Sequence, residues 1–119
     1  MTKGQIEAKI SEAISKFEVE FMGRGPRKIR TIIFQDLIII RLQGFLSQAE
    51  RALSQNKEGV ELIKRVRTAL FENARESFEM AIKSVIDLNI ISIYSDVSTR
   101  TGEKIITIVV DENIEEKLK

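Results

Sequence analysis

The residues with the most obvious chemical capacity lie in a short glycine-rich segment that begins at Gly23 and reads GRGPRK. Glycines let backbone N–H groups approach an anion closely, and arginine and lysine side chains bind its oxygens. The pattern therefore predicts a small-anion site that would suit phosphate, carboxylate or bicarbonate. The residues of this predicted site are Arg24, Gly25, Arg27 and Lys28.

The same segment also has a purely structural interpretation. A helix stop followed by a basic edge strand has a similar composition, because charged side chains discourage edge-to-edge pairing of sheets. The segment is not a GxxxxGK[ST] phosphate loop, and it does not follow a strand as a GxGxxG turn does. Both interpretations stay open at the level of sequence.

Arg67 is a second cation in an unexpected place. At 100° per residue it falls between Ile63 and Phe71 on the apolar face of a helix. No acid stands three or four residues from it, and an unpaired buried charge costs several kcal/mol. Its partner must come from another element. The candidates are a structural ion pair with Asp36, Glu50 or Asp96, or a bound anion that Arg67 would share with the glycine-rich segment.

The composition excludes most familiar catalytic sites. The 119 residues include no cysteine and no histidine, which removes thiolate nucleophiles, imidazole bases and the usual zinc ligands. Asp96 and Ser98 would need an activating lysine to act as a hydrolytic pair, and a role in a hairpin turn suits them better. We predict no catalytic residue, no metal site and no cofactor.

Two features of the sequence bear on location and partners. The net charge of +1 favours neither nucleic acid nor an acidic membrane surface. The longest apolar run is Leu37–Ile40, far short of the roughly 18 residues that span a bilayer, and no leader pattern opens the chain. We expect a soluble, cytoplasmic protein.

The helices are predicted from apolar spacing and capping signals. Thr2 and Gln5 fit a capping box, and apolar residues then recur every three or four positions, which predicts a helix over residues 3–22. Ser47 and Glu50 form a second capping box before a short helix that ends at Leu53. Residues 58–88 predict one helix about 45 Å long. Because it outreaches a globule of this size, we expect its free end to pack against a second copy in a homodimer.

The strands are predicted as two hairpins. Residues 29–34 and 37–42 flank a short polar turn, and residues 89–97 and 104–110 flank a longer one. Along Leu37–Leu42 both the odd and the even positions are apolar, except at Arg41. This pattern predicts an internal strand covered on both faces. The resulting order is α-β-β-α-α-β-β. It predicts an α+β fold with a four-stranded antiparallel sheet and a single domain over residues 1–119.

Several short motifs occur in order along nearly the whole chain: GRGP at 23–26, Asp36, LQGFLSQAE at 42–50, Gly59, Arg67 and SDVSTRTGE at 95–103. Together they resemble the MpsC-type family. The resemblance implies a small soluble bacterial protein linked to a cation-translocating system that generates membrane potential, related systems of which take up bicarbonate or carbon dioxide. Ser47 stands where the family pattern has threonine, and Leu88-Asn89 where it has a glycine. Carried over, the positions to test are Arg24, Asp36, Glu50, Arg67 and Asp96.

Two functions from different classes follow. The first is a non-catalytic accessory or regulatory subunit, homodimeric, that binds a small anion near Arg24 and Arg67 and works beside a membrane transporter. The second is a small nucleic-acid-binding module, because the order of elements is similar to one type of KH domain. No GxxG clamp joins the helices and aromatic residues are only 6% of the chain, which disfavours the second.

Overall fold

The computed structural model covers residues 1–119, and it confirms the α+β fold. Four strands form one antiparallel sheet in the order β1-β2-β4-β3. The elements in chain order are α1 (Lys3–Met22), β1 (Lys28–Phe34), β2 (Leu37–Gln43), α2 (Gln48–Leu53), α3 (Lys57–Lys83), β3 (Ile90–Ser98), β4 (Glu103–Val110) and α4 (Ile114–Lys117).

The predicted starts of α1 and α2 are confirmed by their caps. Thr2 accepts a hydrogen bond from the backbone N–H of Gln5, whose side chain bonds back to the Thr2 N–H. Ser47 and Glu50 make the same reciprocal pair at the start of α2. At the far end of α1, Gly23 takes a φ of 85°, the left-handed conformation that stops a helix at little cost for glycine.

One face of the sheet, which we call the inner face, packs against α1 and α3. Its core contains 18 buried residues from the sheet, from α1, from α3 and the segment after it, and from α4. Phe17 on α1 meets Phe71 and Phe78 on α3 in edge-to-face contacts, with ring centroids 5.3 to 6.4 Å apart. This geometry fixes how the two helices lie over the strands. No helix of the chain combines the length and the apolarity that crossing a membrane requires.

The long helix ends earlier than predicted. The apolar spacing predicts a helix to residue 88, but α3 stops at Lys83. The Ser84 hydroxyl donates to the carbonyl of Ala81, and the N–H groups of Val85 and Ile86 both donate to the carbonyl of Ile82. Ile86 and Leu88 are still buried in the core. Their apolar spacing therefore reflects their burial in the turn after α3 and not a continuation of the helix.

The prediction that β2 is covered on both faces is wrong for the single chain. The strand is internal to the sheet as expected, and Ile38, Ile40 and Leu42 on its inner side are fully buried. Leu37 and Ile39 point to the opposite, outer face and are only half-buried. Both sides of β2 carry apolar residues. The helices of this chain cover only the inner side.

Candidate anion-binding site

Arg67 is buried, with 8% of its surface exposed, and it makes a two-point ion pair with Glu50. Its Nε donates to Glu50 Oε2 at 2.8 Å, and its Nη2 donates to Oε1 at 2.7 Å. Nη2 also lies 3.4 Å from the Phe45 carbonyl, and the guanidinium stacks 4.5 Å from the centre of the Phe45 ring. Such two-point pairs fix geometry as well as charge.

Glu50 is held in place before it meets Arg67. Its carboxylate accepts the N–H of Ser47, and its own N–H donates to the Ser47 hydroxyl, so the capping box of α2 orients the side chain. Partial burial acts to raise the pKa of Glu50, but the hydrogen bonds from Arg67 and Ser47 outweigh it. The pKa of this carboxyl is therefore lowered, and Glu50 is ionised at neutral pH.

A second ion pair lies close by and is fully buried. Lys104 on β4 donates from Nζ to Glu18 Oε1 on α1 at 3.1 Å, and the two side chains are 3% and 1% exposed. The other oxygen of Glu18, Oε2, is buried without a hydrogen-bond partner. The ammonium of Lys104 also lies 5.5 Å from the centre of the Phe71 ring. The pair joins α1 to the sheet beneath α3.

The two ion pairs are coupled through their cations. Burial is the main cause that lowers the pKa of Lys104, Glu18 acts to raise it, and the positive charge of Arg67 lowers it further. Two cations thus lie near each other in the interior, each held by its own carboxylate. An additional acceptor placed between them would favour the protonated form of Lys104.

A small cavity of about 30 Å³ lies beside these two cations. It is lined by one face of α3 and by the inner and edge side chains of β3 and β4. Hydroxyl groups and charged groups dominate the lining, with one apolar residue. The lining residues are Lys64, Arg67, Thr68, Ser95, Asp96, Val97 and Lys104.

Arg24 and Arg27 lie on the segment between α1 and β1, and they contact the loop after β2 and not this cavity. Arg24 donates from Nη1 to the Leu46 carbonyl at 3.0 Å and from Nη2 to the Gly44 carbonyl at 3.5 Å. The side chain of Arg27 covers Gly44, where an added Cβ would lie 2.8 Å from the Arg27 Cβ. Since Arg67 bonds the Phe45 carbonyl, three predicted site residues contact the same loop from different sides.

Gly25 and Lys28 are placed away from Arg67. Gly25 is half-buried, and an added Cβ would lie 3.0 Å from a methyl group of Val19. Lys28 begins β1 at the sheet edge, is exposed, and makes no side-chain hydrogen bond. The structure therefore brings together Arg24, Arg27 and Arg67 around one loop, but it does not bring Gly25 or Lys28 to the cavity.

The three candidate acids lie in three places. Glu50 pairs with Arg67. Asp36 is in the turn between β1 and β2, at the opposite end of the sheet, where its carbonyl accepts the N–H of Val110. Asp96 lies within β3 at the mouth of the cavity, 3.5 Å from Lys64 Nζ, with its side chain 82% exposed.

Sequence reasoning missed Glu18 and Lys104, although the signal was present. Glu18 stands four residues after Ile14 and therefore belongs to the apolar stripe of α1. Lys104 has the same parity as Ile106, Ile108 and Val110, all of which are buried. A charged residue at a position where the apolar repeat expects a buried residue indicates a buried ion pair, on a strand as well as on a helix.

Residues 2–112 match the family described as Na⁺-translocating membrane potential-generating system (MpsC). The chain belongs to the MpsC family. The MpsC match includes both ion pairs and every residue that lines the cavity, and it stops before α4.

Two relatives from Bacillus subtilis (strain 168) extend the similarity to whole chains. The uncharacterized protein YbcI is 34% identical over 118 residues, which is 99% of this chain and 95% of YbcI. The uncharacterized protein YrhF is 24% identical over 109 residues, which is 90% of this chain and 88% of YrhF. No solved structure matches this MpsC chain.

Proposed function

We propose that this MpsC protein is a non-catalytic, cytoplasmic accessory subunit of a membrane potential-generating system, and that it senses a small oxyanion in the cavity beside Arg67 and Lys104. The link to a membrane system rests on the family. The sensing role rests on one observation, two buried cations beside a small polar cavity. Binding there would change how α3 and the β3-β4 hairpin pack, and a membrane partner could recognise that change.

The hydrogen-bond donors that a guest could use belong mainly to the two cations. Arg67 directs Nε and Nη2 to Glu50 and the Phe45 carbonyl, while Nη1 has no acceptor in the chain. Lys104 has three N–H donors and directs one of them to Glu18. Thr68 and Ser95 add hydroxyl groups to the lining. Cations and hydroxyl groups donate hydrogen bonds, so this lining favours an acceptor-rich guest, whereas the buried Glu18 Oε2, an acceptor without a partner, adds nothing to the attraction.

The size of the cavity limits the ligand class. About 30 Å³ is two to three times the roughly 10–15 Å³ that one water molecule needs. A planar anion of three or four heavy atoms fits this space, with bicarbonate, formate and nitrate as examples. Nucleotides do not. Because both cations already have carboxylate partners, affinity would come from hydrogen bonds more than from net charge, and binding would be weak.

Isothermal titration calorimetry at pH 7.5 tests the ligand. We expect bicarbonate and formate to bind with a dissociation constant of roughly 0.1–10 mM, the range that a ligand of three or four atoms can reach. ATP is expected to give no heat. Absence of heat with any small oxyanion up to 50 mM would remove the sensing role, at this order of affinity.

Matched variants locate the site. The double change Glu18→Leu with Lys104→Met removes a whole ion pair and keeps the volume filled, so the fold is retained while the central donor is lost. We expect this variant to lose anion binding. Arg65→Met removes an exposed cation two residues from Arg67 and should bind as the wild type does. Equal affinity in both variants would place the anion elsewhere.

The accessory role is tested in cells. Deletion of the gene should lower the membrane potential, as reported by a potential-sensitive dye, and a plasmid copy of the wild type should restore it. The Glu18→Leu/Lys104→Met variant should restore it less well than Arg65→Met. If the deletion leaves the potential unchanged under every supply of bicarbonate, the accessory role fails.

A further inference from the structure

On the outer face of the sheet, side chains that neighbour one another across the four strands form four rows, and the apolar rows lie apart from the charged ones. The two rows at the Phe34 end are largely apolar, and the two at the Lys28 end are largely charged or polar. In strand order β1-β2-β4-β3 the rows are Phe34-Leu37-Val109-Ser92, Ile32-Ile39-Thr107-Tyr94, Arg30-Arg41-Ile105-Asp96 and Lys28-Gln43-Glu103-Ser98. No helix covers this face, because the core that joins sheet and helices uses the opposite parity.

The apolar rows are open to an unusual degree. Ile32 is 41% exposed, Phe34 55% and Tyr94 63%, and their neighbours Leu37 and Ile39 are only half-buried. Single exposed apolar residues are common, but a contiguous patch across four strands marks an interaction surface. We infer that this face is the interface of a symmetric homodimer in which two sheets pack face to face. This inference does not depend on the anion proposal.

The pattern on the face selects one symmetry axis. A two-fold axis parallel to the strands places each row over the same row of the second copy, apolar on apolar and charged on charged. A two-fold axis across the strands would place Arg30 and Arg41 over Ile32 and Ile39, and Lys28 over Phe34, and would bury cations against apolar side chains. The first arrangement is therefore the favoured one.

The favoured axis also brings opposite charges together. It places β1 of one copy over β3 of the other, so Arg30 faces the second copy's Asp96, and the same pair repeats by symmetry. Asp96 lies on the edge strand, and its carboxylate is 82% exposed and 3.5 Å from Lys64 Nζ of α3, so it has to turn from that exposed pair towards the outer face to accept this contact at the rim. Arg41 brings its own partner into the interface, because Glu103 of the same chain lies 2.9 Å away. The face is self-complementary in charge as well as in apolarity.

The area is sufficient for a dimer. Four strands about 4.8 Å apart and four rows about 6.8 Å apart give a flat footprint of about 500 Å² per chain. The two chains together bury about 1,000 Å² as flat sheets, without the added area of the side chains, which is the lower limit of about 1,000 Å² for a biological interface. The second copy would supply the layer that β2, apolar on both sides, lacks in a single chain.

Sedimentation velocity of the wild type and two matched variants tests this interface. We expect a species of twice 13.6 kDa at micromolar concentration. Ile39→Asp, at the centre of the outer face, should weaken the dimer by at least roughly 100-fold, because it buries an unpaired charge in both copies. Val66→Asp adds the same charge on the exposed apolar stripe of α3, where Val66 is 48% exposed, and should leave the dimer unchanged.

Charge reversal and cross-linking test the dimer interface with variants that change only exposed or half-buried residues, so a loss of folding cannot be mistaken for a loss of the dimer. Arg30→Asp should weaken the dimer about tenfold, and adding Asp96→Arg should restore it. Since the chain has no cysteine, Thr107→Cys places one thiol near the axis, and a short bismaleimide should join two copies, whereas Glu72→Cys on α3 should not react in this way. A monomeric wild type, or a dimer lost in Val66→Asp and kept in Ile39→Asp, would overturn the inference.

Discussion

Glu50 acts in two places at once. Its carboxylate closes the capping box of α2 through Ser47 and neutralises Arg67 on α3. Nothing in the helix of Arg67 could have indicated which acid pairs with it, because the contact spans 17 residues and depends on the path of the loop after β2. That an acid or an anion had to be present followed from the position of Arg67 alone. The cap and the ion pair are therefore one cooperative unit.

This unit predicts a specific dependence of stability on pH. The folded pKa of Glu50 is lowered, so its contribution is fully present above its ordinary pKa of 4.5 and is lost as the pH falls through the folded value. Glu50→Gln should cost about 2–4 kcal/mol at pH 7, where Arg67 loses its charged partner. The difference from the wild type should shrink at pH 3, as measured by urea unfolding. A difference independent of pH would contradict the role of the ionised carboxylate.

The pair of Glu18 and Lys104 predicts a different pattern. Either single replacement, Glu18→Leu or Lys104→Met, leaves one charge buried without a partner and should cost about 3–5 kcal/mol. The double replacement should lie within about 1 kcal/mol of the wild type, because two apolar side chains fill the space. Thermal unfolding measures all three variants. Additive losses in the double variant would show that the side chains do not pair.

An exposed pair provides the control for that experiment. Arg75 and Glu72 lie one helical turn apart on α3 at 3.8 Å, and both side chains are well exposed. Arg75→Gln should change stability by less than about 0.5 kcal/mol, since solvent screens such pairs. An equal loss of stability on breaking either pair would mean that Glu18 and Lys104 are not shielded from solvent.

At the scale of elements, local rules were sufficient for most boundaries. Capping boxes fixed the starts of α1 and α2, glycine fixed the end of α1, and turn residues fixed both hairpins. Two predictions were wrong because an apolar pattern shows that residues are buried but does not show which structure buries them. Apolar spacing continued past Lys83 into a buried turn, and the two-sided apolar pattern of β2 showed a need for cover without showing what supplies it.

Gly59 is the element-scale position with the sharpest constraint. A Cβ at Gly59 would lie 1.6 Å from the Leu53 carbonyl oxygen, so α2 and the first turn of α3 touch backbone to backbone there. Gly59→Ala should separate the two helices and cost at least about 2 kcal/mol. Gly4→Ala, in α1 with nothing within 4 Å, should instead stabilise by up to about 1 kcal/mol. Chemical denaturation compares the two, and a tolerated Gly59→Ala would contradict the packing.

At the scale of the whole molecule, the fold leaves two surfaces that the single chain does not use. The sheet carries the apolar rows of its outer face, and α3 carries an exposed stripe of Leu62, Val66 and Leu70. The length of α3 predicts a homodimer through the free end of that helix, which stays a prediction. Ile63, near the start of α3, packs into this chain's own small cluster with Phe45 and Val97. The outer face is the surface inferred above to bind a second copy, and the stripe on α3 is exposed in the single chain.

The candidate site is itself a property of the whole molecule. Its cations come from α3 and β4, their carboxylates from α1 and α2, and its mouth from β3. Sequence reasoning could propose Arg67 but not this assembly, because the strand order and the register that bring Lys104 beneath α3 depend on the complete sheet. A ligand there would contact α3, β3 and β4 at once.

The pH dependence of formate affinity tests the site most directly, because formate does not titrate above pH 5. The pKa of Lys104 is lowered mainly by burial, so the ammonium should lose its proton below the ordinary value of 10.5. Calorimetry should show constant affinity near neutral pH and a fall of about tenfold per pH unit above the pKa of Lys104. The Glu18→Leu/Lys104→Met variant should bind weakly at every pH. Wild-type affinity that equals that of the variant, or that has not fallen by pH 10.5, the ordinary lysine pKa, would contradict a site built on Lys104.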